Sequence, residues 1–437
     1  MEGAGRGLKQ VLVADRVITL DATGNVFAPG AVSIVNNRIQ AVGTPTEVGE
    51  GQVLRLDGRV LMPGLVDVHT HTPMWLFRGL TEDPPRGEWL AQRMRPYEQR
   101  ASTRDLVHAA SAGCLELLLN GVTTIADRYG DMDAIAPAIE ASGLRAVVAH
   151  SLYDDGAEER LEHTRALIER YGTDAQRSRV SVAIGPHATD TCGPELLRRV
   201  RDLAERTGAR VVIHVAQSAE EVTAVRARDG VGCAEYLDQL GLLGPNVLIA
   251  HATYLSTAEA ELVGRRGASV AHCPSSNAKL EGRIAPVGVM RAAGATVGLG
   301  TDAAACNNGM DLFEEMKIAG LLNKVAAVDP SYLTADELLS MATLEGARAL
   351  GMEQLIGSIE ADKYADLIAI RTDGARVRPW HNDAANLVYA VRGSDVSDVW
   401  VGGEQVMCNG QPTRLDVEAI VRDASKAASS LVTCGYA

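Results

Sequence analysis

Hydrophobic and polar positions alternate in two different ways along the chain. From Val11 to Asp57, and again after Asp362, short apolar segments are separated by turn residues, which is typical of strands in a small sheet. From Leu61 to about Leu350, apolar runs of strand length alternate with longer helical patterns. Strands this apolar are buried on both faces, so the central region predicts a parallel sheet covered by helices.

Eight apolar runs make up the central pattern. They begin at Leu65, Gly121, Arg145, Val180, Arg210, Asn246, Ala268 and Ala295. Eight strands within roughly 290 residues favour a closed (β/α)₈ barrel over an open doubly wound sheet. The sequence therefore predicts an α/β protein built on a TIM-like barrel.

The two flanking regions are each too short to bury a core alone, so we expect their strands to join in one sheet. The predicted organisation is a central (β/α)₈ barrel of residues 63–357. This barrel is inserted into a small split β-sandwich domain that consists of residues 1–62 and 358–437. A closing helix is predicted from Leu415 to Val432.

Composition and charge exclude several classes of protein. The 437 residues are 46% hydrophobic and 22% charged, as in an ordinary folded protein. A formal net charge of -14 disfavours binding to nucleic acid or to an anionic membrane. The chain has no apolar run long enough to span a bilayer, and Met1–Gln10 does not resemble a signal peptide. Because the seven cysteines are scattered without a C-x-x-C pair, we expect a cytoplasmic protein.

Candidate metal ligands stand at the carboxyl ends of the predicted barrel strands, where the active sites of such barrels lie. His69 and His71 share one face of the first strand, so both can reach a single ion at about 2.0–2.1 Å. His214, His251 and Asp302 each end another strand. Histidines with a carboxylate and no thiolate favour Zn²⁺, with Fe²⁺ or Mn²⁺ as alternatives.

This ligand set predicts hydrolytic chemistry. A bound metal lowers the pKa of a coordinated water towards about 7. Asp302 is placed either to ligate or to take the proton, and His251 to orient the attacking oxygen. Hydrolysis also needs a general acid for the leaving group. Three residues after His214, where a carboxyl group would serve that purpose, the chain has Gln217.

Long motifs across the chain resemble those of the amidohydrolase superfamily. They include Met62-PGLVDVHTH, His214-VAQSAEEV, His272-CPSSNAKLEG and Gly298-LGTDAAACNN. Within the superfamily the chain is most similar to the branch of methylthioadenosine and S-adenosylhomocysteine deaminases, with triazine hydrolases as neighbours. The resemblance implies a barrel enzyme that replaces an amino group on a heterocycle with oxygen and releases ammonia.

The resemblance also implies roles for individual residues. One divalent ion would be held by His69, His71, His214 and Asp302, and His251 would contact the nucleophilic water. Glu98 would accept hydrogen bonds from ribose hydroxyls, with a solvated helix carboxylate as the alternative. His187 would contact the substrate near the sugar, with a structural histidine as the alternative. Homo-oligomerisation, as a dimer or tetramer, is implied by the resemblance alone.

Two departures from the family pattern bear on the substrate. The family has His-x-x-Glu where this chain has Gln217, and an amide cannot shuttle a proton; losing acid–base catalysis costs about 10²–10⁴-fold. Near the expected homocysteine carboxylate, His150 stands where the family has an arginine, while Arg160 keeps another. Histidine does not replace a bidentate arginine. The pattern therefore disfavours S-adenosylhomocysteine.

The expected function is zinc-dependent hydrolytic deamination of a purine-like ring, in an adenosine-type nucleoside. Two alternatives remain open at this point. One is a related hydrolase that acts on a non-nucleoside N-heterocycle. The other is a catalytically impaired or engineered binding form, because Gln217 replaces the expected general-acid glutamate.

Overall fold

The computed structural model describes residues 9–84 and 86–433, so part of the predicted N-terminal segment and Cys434 lie outside the described residues. The chain begins with strands that pair with one another. They are β1 (Gln10–Ile18), β2 (Val26–Phe27), β3 (Gly30–Val35), β4 (Arg38–Gly43) and β5 (Gln52–Pro63). Strand β5 runs directly into the barrel through Gly64, where a Cβ atom would lie 2.2 Å from Thr123. Only glycine fits this junction.

The barrel strands follow in the predicted order. They are β6 (Leu65–Thr70), β7 (Val122–Tyr129), β8 (Arg145–Leu152), β9 (Val180–Val182), β10 (Gly185–Pro186), β11 (Val211–Val215), β12 (Val247–His251), β13 (Ser269–His272) and β14 (Thr296–Leu299). Neighbouring strands pair in parallel. A parallel bridge between Thr70 and Asp302 joins the first strand position to the last. These features confirm the predicted fold class.

The fourth strand position differs from the sequence prediction, because one expected strand is split into β9 and β10. The amide of Ala183 still donates to the carbonyl of Val148 on one side, at 3.0 Å. The amide of Ile184 donates to the carbonyl of Arg210 on the other side, at 2.8 Å. Successive backbone amides therefore form hydrogen bonds to the strands on opposite sides, which interrupts the regular ladder. At this point the barrel is closed by isolated β-bridges.

After the barrel the chain returns to the first sheet. The returning strands are β15 (Leu367–Arg371), β16 (Val396–Val401), β17 (Glu404–Cys408) and β18 (Gln411–Pro412). Strand β5 pairs in parallel with β1 and antiparallel with β15, so it connects the two flanks. The boundaries predicted for the two domains stay a prediction.

Helices cover the barrel and close the chain. The α-helices are α1 (Arg86–Glu88), α2 (Arg95–Glu98), α3 (Thr103–Leu119), α4 (Met132–Ser142), α5 (Ala157–Tyr171), α6 (Pro194–Thr207), α7 (Ala219–Asp229), α8 (Cys233–Gln239), α9 (Thr257–Arg265), α10 (Pro274–Glu281), α11 (Val287–Ala292), α12 (Ala304–Asn307), α13 (Leu312–Ala327), α14 (Ala335–Met341), α15 (Leu344–Ala349), α16 (Asp383–Tyr389) and α17 (Val417–Thr433). Two 3₁₀ segments, Thr72–Phe77 and Gly393–Asp395, and one π-helical segment, Trp89–Met94, complete the helical structure.

Helix starts follow from capping side chains. Ser102, Ser256 and Thr334 each cap a helix, and an acidic residue three positions later completes a capping box. Within the described ranges, no helix is both long enough and apolar enough to cross a membrane.

A buried ion pair ties the barrel to the sheet. Arg145, at the start of β8, donates to both carboxylate oxygens of Asp366 at 2.9 and 3.1 Å. Both side chains are almost fully buried. A bidentate pair of this kind fixes orientation as well as distance. The sheet therefore supports the barrel at the end opposite to the strand ends that carry the candidate ligands.

Candidate metal centre and active site

Four histidines and one carboxylate meet at the carboxyl ends of the barrel strands. The ring centroid of His69 lies 4.7 Å from that of His71, 5.0 Å from that of His214 and 5.2 Å from that of His251. These three ring pairs are edge-on, with interplanar angles of 81 to 83°. The sequence-predicted ligands are thus brought to one point from four different strand positions.

Asp302 faces this histidine group with its carboxylate. Its Oδ1 lies 3.4 Å from Nε2 of His71 and 3.6 Å from Nε2 of His69. Its Oδ2 accepts a hydrogen bond from the Ser276 hydroxyl at 2.5 Å. Burial by itself raises the pKa of Asp302, but the neighbouring His69 and His251 outweigh that effect and hold the pKa well below its ordinary value. Asp302 is therefore a carboxylate that can ligate or accept a proton.

Hydrogen bonds orient two of the imidazoles. Nδ1 of His71 lies 2.5 Å from the carbonyl oxygen of Arg128, and Nδ1 of His251 lies 3.0 Å from Oδ1 of Asn277. Because both partners are acceptors, each Nδ1 carries the hydrogen and donates it. Nε2 is then the ring nitrogen of each histidine that can act as a metal ligand.

The arrangement fits a divalent cation. Two overlapping triads offer ligand atoms within 4.8 Å of one another, namely His69, His71 and His214, and His69, His251 and Asp302. Nε2 of His69 is buried and has no hydrogen-bond partner among the residues that the structure describes. Burial lowers the pKa of His71 and His214 well below the ordinary value, so both are in the neutral form that binds metals. Nitrogen and oxygen donors of this kind suit zinc.

A buried carboxyl group beneath the ligands, that of Asp67, holds two strand ends together. Asp67 accepts hydrogen bonds from the amide of His69 at 3.2 Å and from the hydroxyl of Thr301 at 2.5 Å. Burial raises the pKa of Asp67 to about 7. Because Thr301 precedes Asp302, this one carboxylate links the first and last strand positions. Second-layer contacts of this kind fix ligand geometry.

The backbone at the site is held in unusual conformations. His251 has φ of 73° and Asp302 has φ of 56°, both in the left-handed region. Such values are uncommon for residues with a Cβ atom and cost energy, of order 1–3 kcal/mol each. The surrounding packing keeps them, and they turn both side chains towards the other ligands.

Gln217 lies in the loop that follows β11 and His214. The backbone N–H of Gln217 donates to Oε2 of Glu221 at 2.7 Å, and the backbone N–H of Ala216 donates to Oε1 of Glu221 at 3.0 Å. The Thr189 hydroxyl also donates to Glu221, at 2.5 Å. Gln217 is 8% exposed, close to the values of the candidate ligands. The loop thus fixes the main chain of Gln217 three residues beyond His214.

Each of the two predicted sugar contacts, Glu98 and His187, lies against a tyrosine side chain. Oε1 of Glu98, on α2, accepts a hydrogen bond from the Tyr129 hydroxyl at 2.5 Å. The His187 ring stacks on Tyr153 at 4.6 Å and meets His214 edge-on at 5.1 Å. Their roles towards a substrate stay predictions.

Arg160 and His150 are placed differently from each other. Arg160 donates to the carbonyl of Ser151 at 3.2 Å and lies 5.0 Å above the Tyr153 ring. His150 stacks on His163 of α5 at 5.2 Å, on the helix side of β8. The structure therefore does not bring His150 to the histidine cluster, and its proposed substrate contact stays a prediction.

Sequence reasoning missed several residues that line the site. Arg128, Tyr153, Ser276 and Asn277 all contact predicted ligands or predicted sugar contacts. For Arg128 a signal was present, since it is a charged residue at the carboxyl end of an apolar barrel strand. The apolar part of the run that begins at Gly121 ends at Ala126, so hydrophobicity alone does not extend the strand to Arg128.

The cysteines near the site have supporting roles, by packing and, for Cys306, by a hydrogen bond to Asp302. The six that fall within the described ranges form no disulfide. Cys306 lies 3.2 Å from Oδ2 of Asp302, and burial raises the pKa of its thiol well above the ordinary value. A buried, protonated thiol is neither a nucleophile nor a strong ligand.

A barrel with this ligand set defines a class of metal-dependent hydrolases, and comparison with known proteins gives the same result. The amidohydrolase family model matches residues 60–406. The chain belongs to the amidohydrolase family.

Individual relatives narrow this further. A 5-methylthioadenosine/S-adenosylhomocysteine deaminase from Pelotomaculum thermopropionicum is 38% identical over 422 residues, which cover 95% of this chain and 97% of the relative. The crystal structure of an adenosine deaminase from Xanthomonas campestris with bound zinc is 31% identical. The match to that structure has a TM-score of 0.92 and covers 98% of this chain and 99% of the other.

The expected similarity to triazine hydrolases is also confirmed. An atrazine chlorohydrolase from Arthrobacter aurescens, complexed with zinc, is 25% identical and has a TM-score of 0.89. The match covers 96% of this chain and 100% of that one. The chain is thus similar to deaminases over nearly its whole length, and it shares its architecture with a chlorohydrolase.

Proposed function

We propose that this protein is a zinc-dependent hydrolytic deaminase of an adenosine-type nucleoside. The observation that carries the proposal is the convergence of His69, His71, His214 and Asp302, with His251 beside them, in a member of the amidohydrolase family. Relatives with this family membership are named for deamination of adenosine compounds. A single zinc ion per chain, with Fe²⁺ or Mn²⁺ as substitutes, would be held by the first four residues.

Each residue has a role in the proposed reaction. Bound zinc supplies the Lewis acidity that makes water nucleophilic near neutral pH. Asp302 accepts the proton of the attacking water, and His251 orients it, with Nδ1 of His251 fixed by Asn277. The carboxamide of Gln217 donates a hydrogen bond to the ring nitrogen beside the attacked carbon. Of the two protons of the water, one ends on the leaving ammonia and the other on that ring nitrogen of the product. Because an amide can transfer neither, both transfers fall to Asp302 and His251.

The sugar end is read by other residues. Glu98 accepts hydrogen bonds from ribose hydroxyls, and its carboxylate is held for that purpose by Tyr129. His187 contacts the sugar from its stacked position on Tyr153. Arg160 lies at the same end, where a 5′ substituent would extend. His150 is included in this set from the sequence resemblance alone.

Gln217 favours a second candidate, hydrolysis of a non-nucleoside N-heterocycle. A leaving group that departs as a stable anion needs no general acid, and the similar chlorohydrolase shares this fold. Glu98 favours the nucleoside, because a ligand without hydroxyl groups would offer its carboxylate no such hydrogen bonds to accept. A cytoplasmic location and a homo-oligomeric assembly complete the proposal, supported by the unpaired cysteines and by the family resemblance respectively.

The proposal is tested by incubating zinc-loaded protein with adenosine, 5′-deoxyadenosine, 5′-methylthioadenosine and S-adenosylhomocysteine. Mass spectrometry of the nucleosides and an ammonia assay follow the reaction. We expect the amino group to be replaced by oxygen, with one ammonia released per product. Protein that holds one zinc per chain but deaminates none of these nucleosides would contradict the proposal.

A further inference from the structure

A buried arginine lies inside the barrel beside the candidate metal centre. On β7, Ala126 packs in the barrel interior and Ile125 packs on the helix side, so Arg128, two residues after Ala126, also faces inward. Its side chain passes Gly185, where a Cβ atom would lie 3.1 Å from Cδ of Arg128. Arg128 is 4% exposed, the same as Asp302. The absence of a side chain at Gly185 therefore makes room for an arginine at the level of the ligands.

The guanidinium of Arg128 has polar neighbours, but among the described residues no carboxylate lies within ion-pair distance of it, and Asp302 acts on it from further away. Nη1 donates to the Ser151 hydroxyl at 3.0 Å, and Nη2 lies 2.8 Å from Nε2 and 3.1 Å from Nδ1 of His214. In the part of the chain that the structure describes, Nε has no hydrogen-bond partner and no carboxylate pairs with the group. Arg145, which is buried to a similar degree, forms a bidentate ion pair with the carboxylate of Asp366. Arg128 is thus a buried cation on which Asp302 and Tyr153 act, but which forms no direct ion pair among the described residues and keeps one N–H without a partner.

Arg128 also lies between the two ends of the site. On one side it contacts His214, a candidate metal ligand. On the other side is Tyr153. Burial raises the pKa of Tyr153, and Arg128 and Glu98 are both near enough to act on it, Arg128 by lowering this pKa and Glu98 by raising it. Tyr153 stacks on His187. A nucleoside held at the metal centre by its base and at Glu98 by its sugar would therefore pass close to the guanidinium.

A buried guanidinium without a paired carboxylate is costly, and a protein can keep one where a bound ligand supplies the missing hydrogen bonds. We propose that Arg128 is a substrate-contacting, specificity-determining residue that donates hydrogen bonds to an acceptor atom of the substrate between the metal centre and Glu98. This inference rests on the proposed function. It predicts that preferred substrates carry a hydrogen-bond acceptor or a negative charge at this point, in addition to the hydroxyls that Glu98 would bind.

Two parts of a nucleoside offer such an acceptor. One is the ring nitrogen of the base next to the glycosidic bond, N3 of adenine. The other is an anionic group on the 5′ carbon. The two sources are separated by ligands that differ in only one of them: 3-deazaadenosine lacks the ring acceptor, and adenosine 5′-monophosphate adds the 5′ anion.

The test compares wild type with Arg128→Met, Arg128→Lys and the matched control Arg210→Met. Arg210 precedes the same strand, β11, that carries His214 near its other end, and its Nε is likewise buried without a partner among the described residues. Zinc content and thermal unfolding are measured first. KM and kcat are then measured for adenosine, 3-deazaadenosine and adenosine 5′-monophosphate, and calorimetry gives Kd for the product inosine.

We expect Arg128→Met to keep its zinc and to raise KM for the preferred nucleoside, and Kd for inosine, by roughly tenfold to a hundredfold, the scale of a lost hydrogen bond to a charged group. Arg128→Lys should lose less, and Arg210→Met should match wild type. If the ring nitrogen is the acceptor, wild type binds 3-deazaadenosine as weakly as Arg128→Met binds adenosine. If the 5′ group is the acceptor, the advantage of the monophosphate disappears in Arg128→Met.

Three results would overturn the inference. In the first, Arg128→Met binds and converts all three nucleosides as wild type does. In the second, both Arg128 variants lose zinc and weaken every ligand equally, which would mark Arg128 as structural only. In the third, wild type with one zinc per chain neither binds nor converts any nucleoside. That last result would contradict the proposed function as well, whereas the first two leave it intact.

Discussion

Two groups of histidines lie on opposite sides of the barrel wall. In the strand-end cluster, His69, His71, His214 and His251 approach one another at 4.7 to 5.7 Å and share the carboxylate of Asp302. In the other group, His150 stacks on His163 at 5.2 Å with an interplanar angle of 17°. Nδ1 of His163 is hydrogen-bonded to Oδ2 of Asp133 at 2.5 Å.

The difference shows that burial alone does not make a candidate metal site. In the strand-end cluster the ligand atoms themselves converge, since two triads have theirs within 4.8 Å of one another. The two metal-compatible triads in the described ranges both include His69, and neither includes His150. Which side of a strand a histidine occupies therefore decides between ligand geometry and packing.

The largest expected effect comes from removing one ligand of the cluster. His214→Ala should lose its zinc and at least ~10³-fold of its turnover, because one of the predicted ligands and the geometry of the rest are lost. Zinc is measured by elemental analysis and turnover by ammonia release. His163→Gln, from the outer pair, is the matched control and should keep both. Equal zinc loss in the two variants would erase the distinction between the groups.

A proton-carrying group beside the cluster should change the rate next most strongly. Gln217→Glu restores a carboxyl group three residues after His214, and we expect turnover to rise by about 10², within the usual range for acid–base catalysis. Gln217→Ala, which restores no acid, should not show the rise. An unchanged rate in Gln217→Glu would show that proton delivery already bypasses this position.

A smaller effect is expected from the second layer of the cluster. Asn277→Ala removes the acceptor that fixes Nδ1 of His251 at 3.0 Å. Contacts of this kind contribute about 10–100-fold to metal affinity or activity. We expect turnover to fall by about tenfold while zinc content remains at one ion per chain. A loss of zinc in this variant would instead make His251 a ligand.

The smallest effect on activity is expected from the outer pair, where pH acts on stability. Burial lowers the pKa of His150 to about 4, with the charge of His163 as the next cause. In the unfolded chain the pKa is about 6.5, so the unfolded state binds more protons between these values and stability falls as pH falls through that window.

His150→Gln should remove this dependence, because glutamine does not titrate. Between pH 7.5 and pH 5, wild type should lose about 2 kcal/mol more unfolding free energy than the variant. Denaturant unfolding at the two pH values measures the difference. A large loss of turnover in His150→Gln would support the substrate contact that the sequence resemblance implied.

Much of this architecture could be predicted from the sequence, and the exceptions have physical causes. Apolar runs that end in His214, His251 and Asp302 indicate both the barrel and the ligands, since parallel strands end at one face. The inward direction of Arg128 depends on where β7 ends, which hydrophobicity does not define. The split between β9 and β10 depends on which neighbour each amide reaches.

The side occupied by His150 could not be deduced from its resemblance to an arginine position. It follows from the register of β8, in which Ala149 packs in the barrel interior and Val148 packs against helices. Contacts between distant segments, such as Tyr129 with Glu98, carry no local pattern at all. Ligands at strand ends are thus easier to predict than the contacts that orient them.

The central claim is that the strand-end cluster is one metal centre. Anomalous diffraction at the zinc edge, from crystals of zinc-loaded protein, tests it most directly. We expect one strong peak per chain, about 2.0–2.2 Å from nitrogen atoms of His69, His71 and His214 and from a carboxylate oxygen of Asp302. A peak held by other residues, or none in this cluster, would contradict it.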